Sequence, residues 1–172
     1  MASALPARLI NAGLFVTNND ILRRIRYAFD FSDKKMLEIF DLGGATVSRA
    51  VLSDWLKKED DPHFLECEDL ALAMFLDGLI IERRGKQEGA TYEPERHLTN
   101  NIIFRKLKIA LDLKSDDILA IMELADFRMS SHELSAFFRK PGHKHYRECQ
   151  SQILRNFLNG VQLKYRSAAE GE

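Results

Sequence analysis

The chain has 172 residues, 45% of them apolar, enough to bury a core in one ordinary domain or two small ones, which excludes a disordered polymer. Its 25 lysines and arginines face 26 acidic residues, so overall charge argues for neither a nucleic-acid nor a membrane partner. Two cysteines, Cys67 and Cys149, exclude a disulfide framework and suit a reducing cytoplasm. With only 9 glycines and 4 prolines, and apolar residues recurring at helical spacing, the chain reads as all-α.

Residues 1–17 form a mildly apolar extension. Its single basic residue, Arg8, precedes a short Leu9 to Val16 run without a small-residue cleavage site, so it does not read as a secretion signal. Helix signals begin at Asn18 or Asn19, the predicted cap of a helix carrying Ile21, Leu22, Ile25, Ala28 and Phe29 on one side. Ser32, followed by Asp33, opens a second helix with Met36, Leu37 and Phe40, and Ser48 opens a third. Gly43-Gly44 reads as a helix end rather than a phosphate loop, since no Gly-Lys-Ser or Gly-Lys-Thr follows. A fourth and longest helix carries Leu72, Phe75, Leu76 and Leu79. Gly78 within it predicts close approach by another helix, because glycine inside a helix otherwise costs about 1 kcal/mol.

Shifted by 82 residues, the chain then matches itself without a gap. NNDILRRIRYAFDF from Asn18 lies over NNIIFRKLKIALDL from Asn100, and HFLECEDLALAMFLDG from His63 lies over HYRECQSQILRNFLNG from His145. About 21 of 67 aligned pairs are identical. The predicted organisation is a helical repeat at 18–84, a polar linker at 85–99, a second repeat at 100–166 and a loose tail from Ser167. In the second repeat Ser115 falls near a helix start, Ser130 and Glu133 have capping-box spacing, and Gly160 matches Gly78. Each unit is about four helices and marginal alone, which predicts a pseudo-twofold pair with a shared interface. The predicted core holds Ile25, Leu37, Leu52, Trp55, Leu72, Phe75 and Leu76 with their partners 82 positions on.

The duplicated pattern resembles the bacterial YehS-like family, a domain of unknown function. NNDILRRIRYAF, VLSDWLKKEDDPHFLEC, FLDGLIIERRGK, YEPERHLTNN, ALDLKSDDILAIM, HYREC and FLNG carry the resemblance, over about residues 18 to 166. The extension before Asn18 departs from the usual family length. The resemblance implies an all-helical cytoplasmic protein and supplies no catalytic residues.

Two constellations invite chemistry. His63 and Cys67, with His145 and Cys149, are four zinc-type ligands that a pseudo-twofold would have to bring together; neither copy has a Cys-x-x-Cys pair, and buried inert thiols are the preferred reading. Cys149 beside His143 and His145 is the nearest approach to a nucleophile and base, with no oxyanion loop or third orienting group, so no catalytic residue is assigned and the protein is read as a non-enzyme. No cofactor signature is present. The repeats differ in charge: the first has 10 basic and 14 acidic residues, the second 12 and 7. Arg105, Lys106, Lys108, Arg139, Lys140, Lys144 and Arg147 form a candidate patch for a macromolecule, with Ser131, His132, Ser135 and Arg139 on a helix placed as a recognition helix would be. Helping the two repeats dock, or keeping the protein soluble, is the preferred use of their opposite charges. Trp55 and Leu56, with Phe137 and Phe138, are read as core rather than as a groove. The sequence thus predicts a binding or adaptor module, with a protein partner ahead of nucleic acid and no membrane.

Overall fold

The computed structural model describes residues 15–171. Its eight helices among these residues are α1 (Asn18–Phe29), α2 (Asp33–Leu42), α3 (Arg49–Trp55), α4 (Asp69–Arg84), α5 (Asn100–Ala110), α6 (Ser115–Leu124), α7 (Ser131–Ala136) and α8 (Ser151–Glu170), with no strands. The four helices of one repeat reappear in the same order in the other. Most of the predicted extension, residues 1–14, lies outside the described residues. Its last two residues belong to the fold: Val16 is buried, as is its counterpart Leu98, and Thr17 caps α1.

Local chemistry sets the helix ends. The Thr17 hydroxyl accepts from the Asp20 amide, and the Thr99 hydroxyl from the Ile102 amide, so threonine caps α1 and α5 in place of the predicted asparagines. Ser32, Ser48 and Ser130 cap α2, α3 and α7. Asp30 and Asp112 follow α1 and α5 with the same left-handed backbone, φ 52°, a conformation that Asp tolerates better than most residues. Gly44 turns the chain after α2 at φ 90°.

Four helices start at one end of the molecule and run in parallel. At the start of α4, Asp69 accepts from Asn18 Nδ2 of α1 (2.7 Å) and from the Leu98 amide just before α5 (2.9 Å). Asn100 Nδ2 likewise reaches Ser151 Oγ at the start of α8 (3.4 Å). The two repeats do not close as separate bundles. Instead α1 lies along α8 and α5 along α4, so the first helix of each repeat packs on the long helix of the other. The predicted pseudo-twofold is therefore an exchange of helices.

The long helices also carry α2 and α6 on their flanks. A Cβ on Gly78 would lie 1.9 Å from the Ile39 carbonyl oxygen, and one on Gly160 2.1 Å from that of Ile121, so the backbones touch as the glycines predicted. Phe40 packs on Phe75 (4.9 Å between centroids) and Phe104 on Phe157 (4.5 Å). Of the predicted core residues in the first repeat, Ile25, Leu52, Leu72, Phe75 and Leu76 are buried; Leu37 and Trp55 are half-buried against them. Phe137 is buried and Phe138 meets the Phe104 ring edge-on at 5.0 Å, so this stripe is largely core.

Two boundaries shift. The linker is strapped down at its far end, with Leu98 buried and Glu95 beside Lys106 (2.9 Å). The tail expected from Ser167 continues α8 through Glu170.

Candidate functional site

The identical residues in the two repeats build a hydrogen-bond frame that the sequence did not reveal. Asn19 Nδ2 donates to the carbonyls of Trp55 (2.9 Å) and Leu65 (2.8 Å), while its Oδ1 accepts from the Cys67 amide (3.0 Å). Asn101 does the same with Phe137 (3.0 Å), Arg147 (2.8 Å) and the Cys149 amide (2.9 Å). Asn18 and Asn100 add bonds to the carbonyls of Cys67 and Cys149. Each frame ties the start of a first helix to the loop between the third and fourth helices, satisfying backbone groups that burial would otherwise orphan. An asparagine repeated one residue inside a threonine-capped helix was the available signal.

Cys67 and Cys149 are buried beneath these frames. Burial pushes both thiols up to about 12, helped at Cys67 by the Asp69, Glu68 and Glu66 carboxylates and at Cys149 by Glu148. His63 and His145 sit exposed in loops, with α4 and α8 starting only at Asp69 and Ser151. The His143 and His145 rings lie 5.6 Å apart, tilted by 40°, and the His145 amide donates to His143 Nδ1 (3.0 Å). Among the described residues no three His, Cys, Asp or Glu side chains gather as a metal group would require, and His63, Cys67, His145 and Cys149 do not converge.

The seven basic candidates separate. Lys106 is largely buried, paired to Asp77 and Glu95 across the repeat interface. Lys108 lies over the Phe138 ring (4.6 Å). Arg105 is exposed at an open cleft of about 560 Å³ between α4, α5 and the linker. Arg139, Lys140, Lys144 and Arg147 lie on the α7–α8 loop, all exposed and, among the described residues, none in an ion pair. The recognition-helix reading loses its element: α7 has six residues, fewer than two turns.

Ion pairs join the two repeats at reciprocal positions, each repeat supplying one arginine and one aspartate. Arg84 binds Asp112 (2.6 Å) and the Ile109 carbonyl (3.3 Å); its counterpart Arg166 binds Asp30 (2.9 Å) and the Tyr27 carbonyl (3.2 Å). Each arginine closes the end of a long helix on the left-handed turn of the other repeat.

The two loops differ in charge. Residues 57–68 carry two basic and five acidic residues; the aligned residues 139–150 carry four basic and one acidic. Both loops hang on the same asparagine frame, and the common start of α1, α4, α5 and α8 puts them at one end of the molecule. One end thus presents a negative and a positive lobe on a shared scaffold.

Architecture and site define a class: a duplicated all-helical protein with an exchanged first helix. The family described as "Protein of unknown function (DUF1456)" matches residues 18–85 and again 100–167, and the chain belongs to this family. "Uncharacterized protein YehS" of Escherichia coli (strain K12) is 46% identical over 145 residues, covering 84% of this chain and 93% of that protein. No solved structure matches significantly. Among the described residues no helix is long and apolar enough to cross a membrane.

Proposed function

We propose that the protein is a non-catalytic, cytoplasmic binding module whose contact surface is the cationic α7–α8 loop and whose partner is an acidic protein surface. One observation carries this reading: two loops held by the same asparagine frame differ in surface charge, with Arg139, Lys140, Lys144 and Arg147 in no ion pair among the described residues. The two buried thiols support both the reducing compartment and the non-catalytic assignment, because a thiol held protonated is a poor nucleophile. An extended polyanion would meet Glu59, Asp60, Glu66 and Glu68 at the same end, which disfavours nucleic acid.

Capture from a nuclease-treated native lysate tests the reading. The wild-type chain should retain protein that elutes with salt, and Arg139→Glu with Lys140→Glu and Lys144→Glu should lose it. Capture that depends on nucleic acid, or that ignores the triple reversal, contradicts the proposal.

A further inference from the structure

We infer that the loop end of the bundle joins two copies of this chain about a twofold axis lying across the bundle, the acidic α3–α4 loop of each copy on the cationic α7–α8 loop of the other. This names the partner for the cationic surface and rests on that reading. Residues 57–68 have formal charge −3 and residues 139–150 +3, so the chain carries both halves of a complementary pair. Glu59, Asp60 and Glu66 on one side, and Arg139, Lys140 and Lys144 on the other, are exposed and outside every ion pair among the described residues. Among the described residues no ion pair joins the two loops, which belong to opposite halves of the pseudo-twofold arrangement.

Geometry then fixes the symmetry. The loops sit at one end, on either side of the pseudo-twofold that runs along α1, α4, α5 and α8. Turning a second copy over about an axis perpendicular to the line joining the loops sets acid on base twice. Turning it about that line instead sets like on like, which is repulsive. The favoured arrangement is isologous and closed, so it stops at two copies.

Analytical ultracentrifugation of the whole chain tests this. At low salt the wild type should sediment as a dimer, and raising salt from about 0.05 M to about 0.5 M should weaken the association roughly tenfold or more. Glu59→Lys with Asp60→Lys and Glu66→Lys makes both loops cationic, and Arg139→Glu with Lys140→Glu and Lys144→Glu makes both anionic. Each variant should be monomeric with native helix content, their mixture should form a heterodimer, and one chain carrying all six reversals should dimerise again. A wild type that stays monomeric at low salt, single-loop variants that dimerise like it, or a six-fold variant that stays monomeric would each overturn the inference. A monomeric wild type whose lysate capture is still lost on reversal of the cationic loop overturns the second copy alone; a monomer whose capture ignores both loops overturns the binding reading as well.

Discussion

Asp77 and Lys106 join the repeats at the position where Asn159 and Arg24 join them on the opposite side. The residues are related in pairs by the 82-residue shift, so the two crossings of a first helix over a long helix carry one design in two chemistries. At α4 and α5 it is an ion pair with Asp77 only 3% exposed; at α8 and α1 it is a neutral amide accepting from a guanidinium. Lys106→Met strands a buried carboxylate and is expected to cost about 3–5 kcal/mol. Asp77→Asn with Lys106→Arg copies the other crossing and should stay within about 1 kcal/mol of wild type. Urea unfolding of both variants checks the pair, and a double substitution as damaging as Lys106→Met contradicts the equivalence.

The same carboxyl sets a pH dependence. Burial raises the Asp77 pKa above the ordinary carboxylate value, Lys106 opposes the rise and Glu95 adds to it. The folded chain then holds this proton to higher pH than the unfolded chain does. The contribution is full below about pH 4, where both states are protonated, and declines as pH rises toward the raised value. Wild-type urea midpoints should therefore fall relative to those of Asp77→Asn between about pH 4 and neutrality. A difference that is flat, or that grows in favour of wild type as pH rises, contradicts the assignment.

The asparagine frames make a matched prediction. Asn19→Ala leaves the Trp55 and Leu65 carbonyls and the Cys67 amide without their partner; Asn101→Ala does the same to Phe137, Arg147 and Cys149. Each substitution should destabilise by about 2–4 kcal/mol, since buried polar groups left unpaired bear the full desolvation penalty. Equal losses within about 1 kcal/mol on denaturant titration are expected, whereas a loss confined to one repeat would contradict the shared role.

Alanine at Gly78 or Gly160 improves helix propensity by about 1 kcal/mol, yet its Cβ meets the Ile39 or Ile121 carbonyl at about 2 Å. The backbones must separate, so a net loss of about 1–3 kcal/mol or more is expected. A raised melting temperature for either variant would show that the helices do not pack this closely.

Both thiols should resist alkylation in the folded chain from neutral pH to about pH 9 and react at once on denaturation. Their pKa values near 12 stand above the ordinary thiol value of about 8.5. The folded state therefore keeps two protons that the unfolded state releases, and stability should decline as pH rises from about 8.5 toward 12. Mass spectrometry of labelled samples checks the first expectation; rapid native labelling of either cysteine would place it at the surface.

Much of the architecture was legible because it rests on local patterns: helical spacing at Ile21, Leu22, Ile25 and Ala28, serine caps at Ser32, Ser48 and Ser130, and glycines 78 and 160 at close approaches. The repeat made those patterns self-checking. Helix exchange was not legible, because the apolar face of α1 states that it must be covered and not whether α4 or α8 covers it. The asparagine frame was hidden by distance along the chain, as Asn19 meets its partners 36 to 48 residues away. At the candidate site, charge alone placed Lys106 with Arg139 and Lys140. A basic residue in sequence does not reveal whether it faces water or, as Lys106 does, a buried carboxylate.

The exchange of first helices is tested most directly by isotope-filtered NOE spectroscopy on a chain labelled only in residues 15–84. The Phe29 ring should show contacts to the unlabelled Tyr165 ring, 4.9 Å away, and Asp77 to Lys106. Contacts of Phe29 confined to its own repeat would mean that each unit closes on itself, and the interlocked pair described above would be wrong.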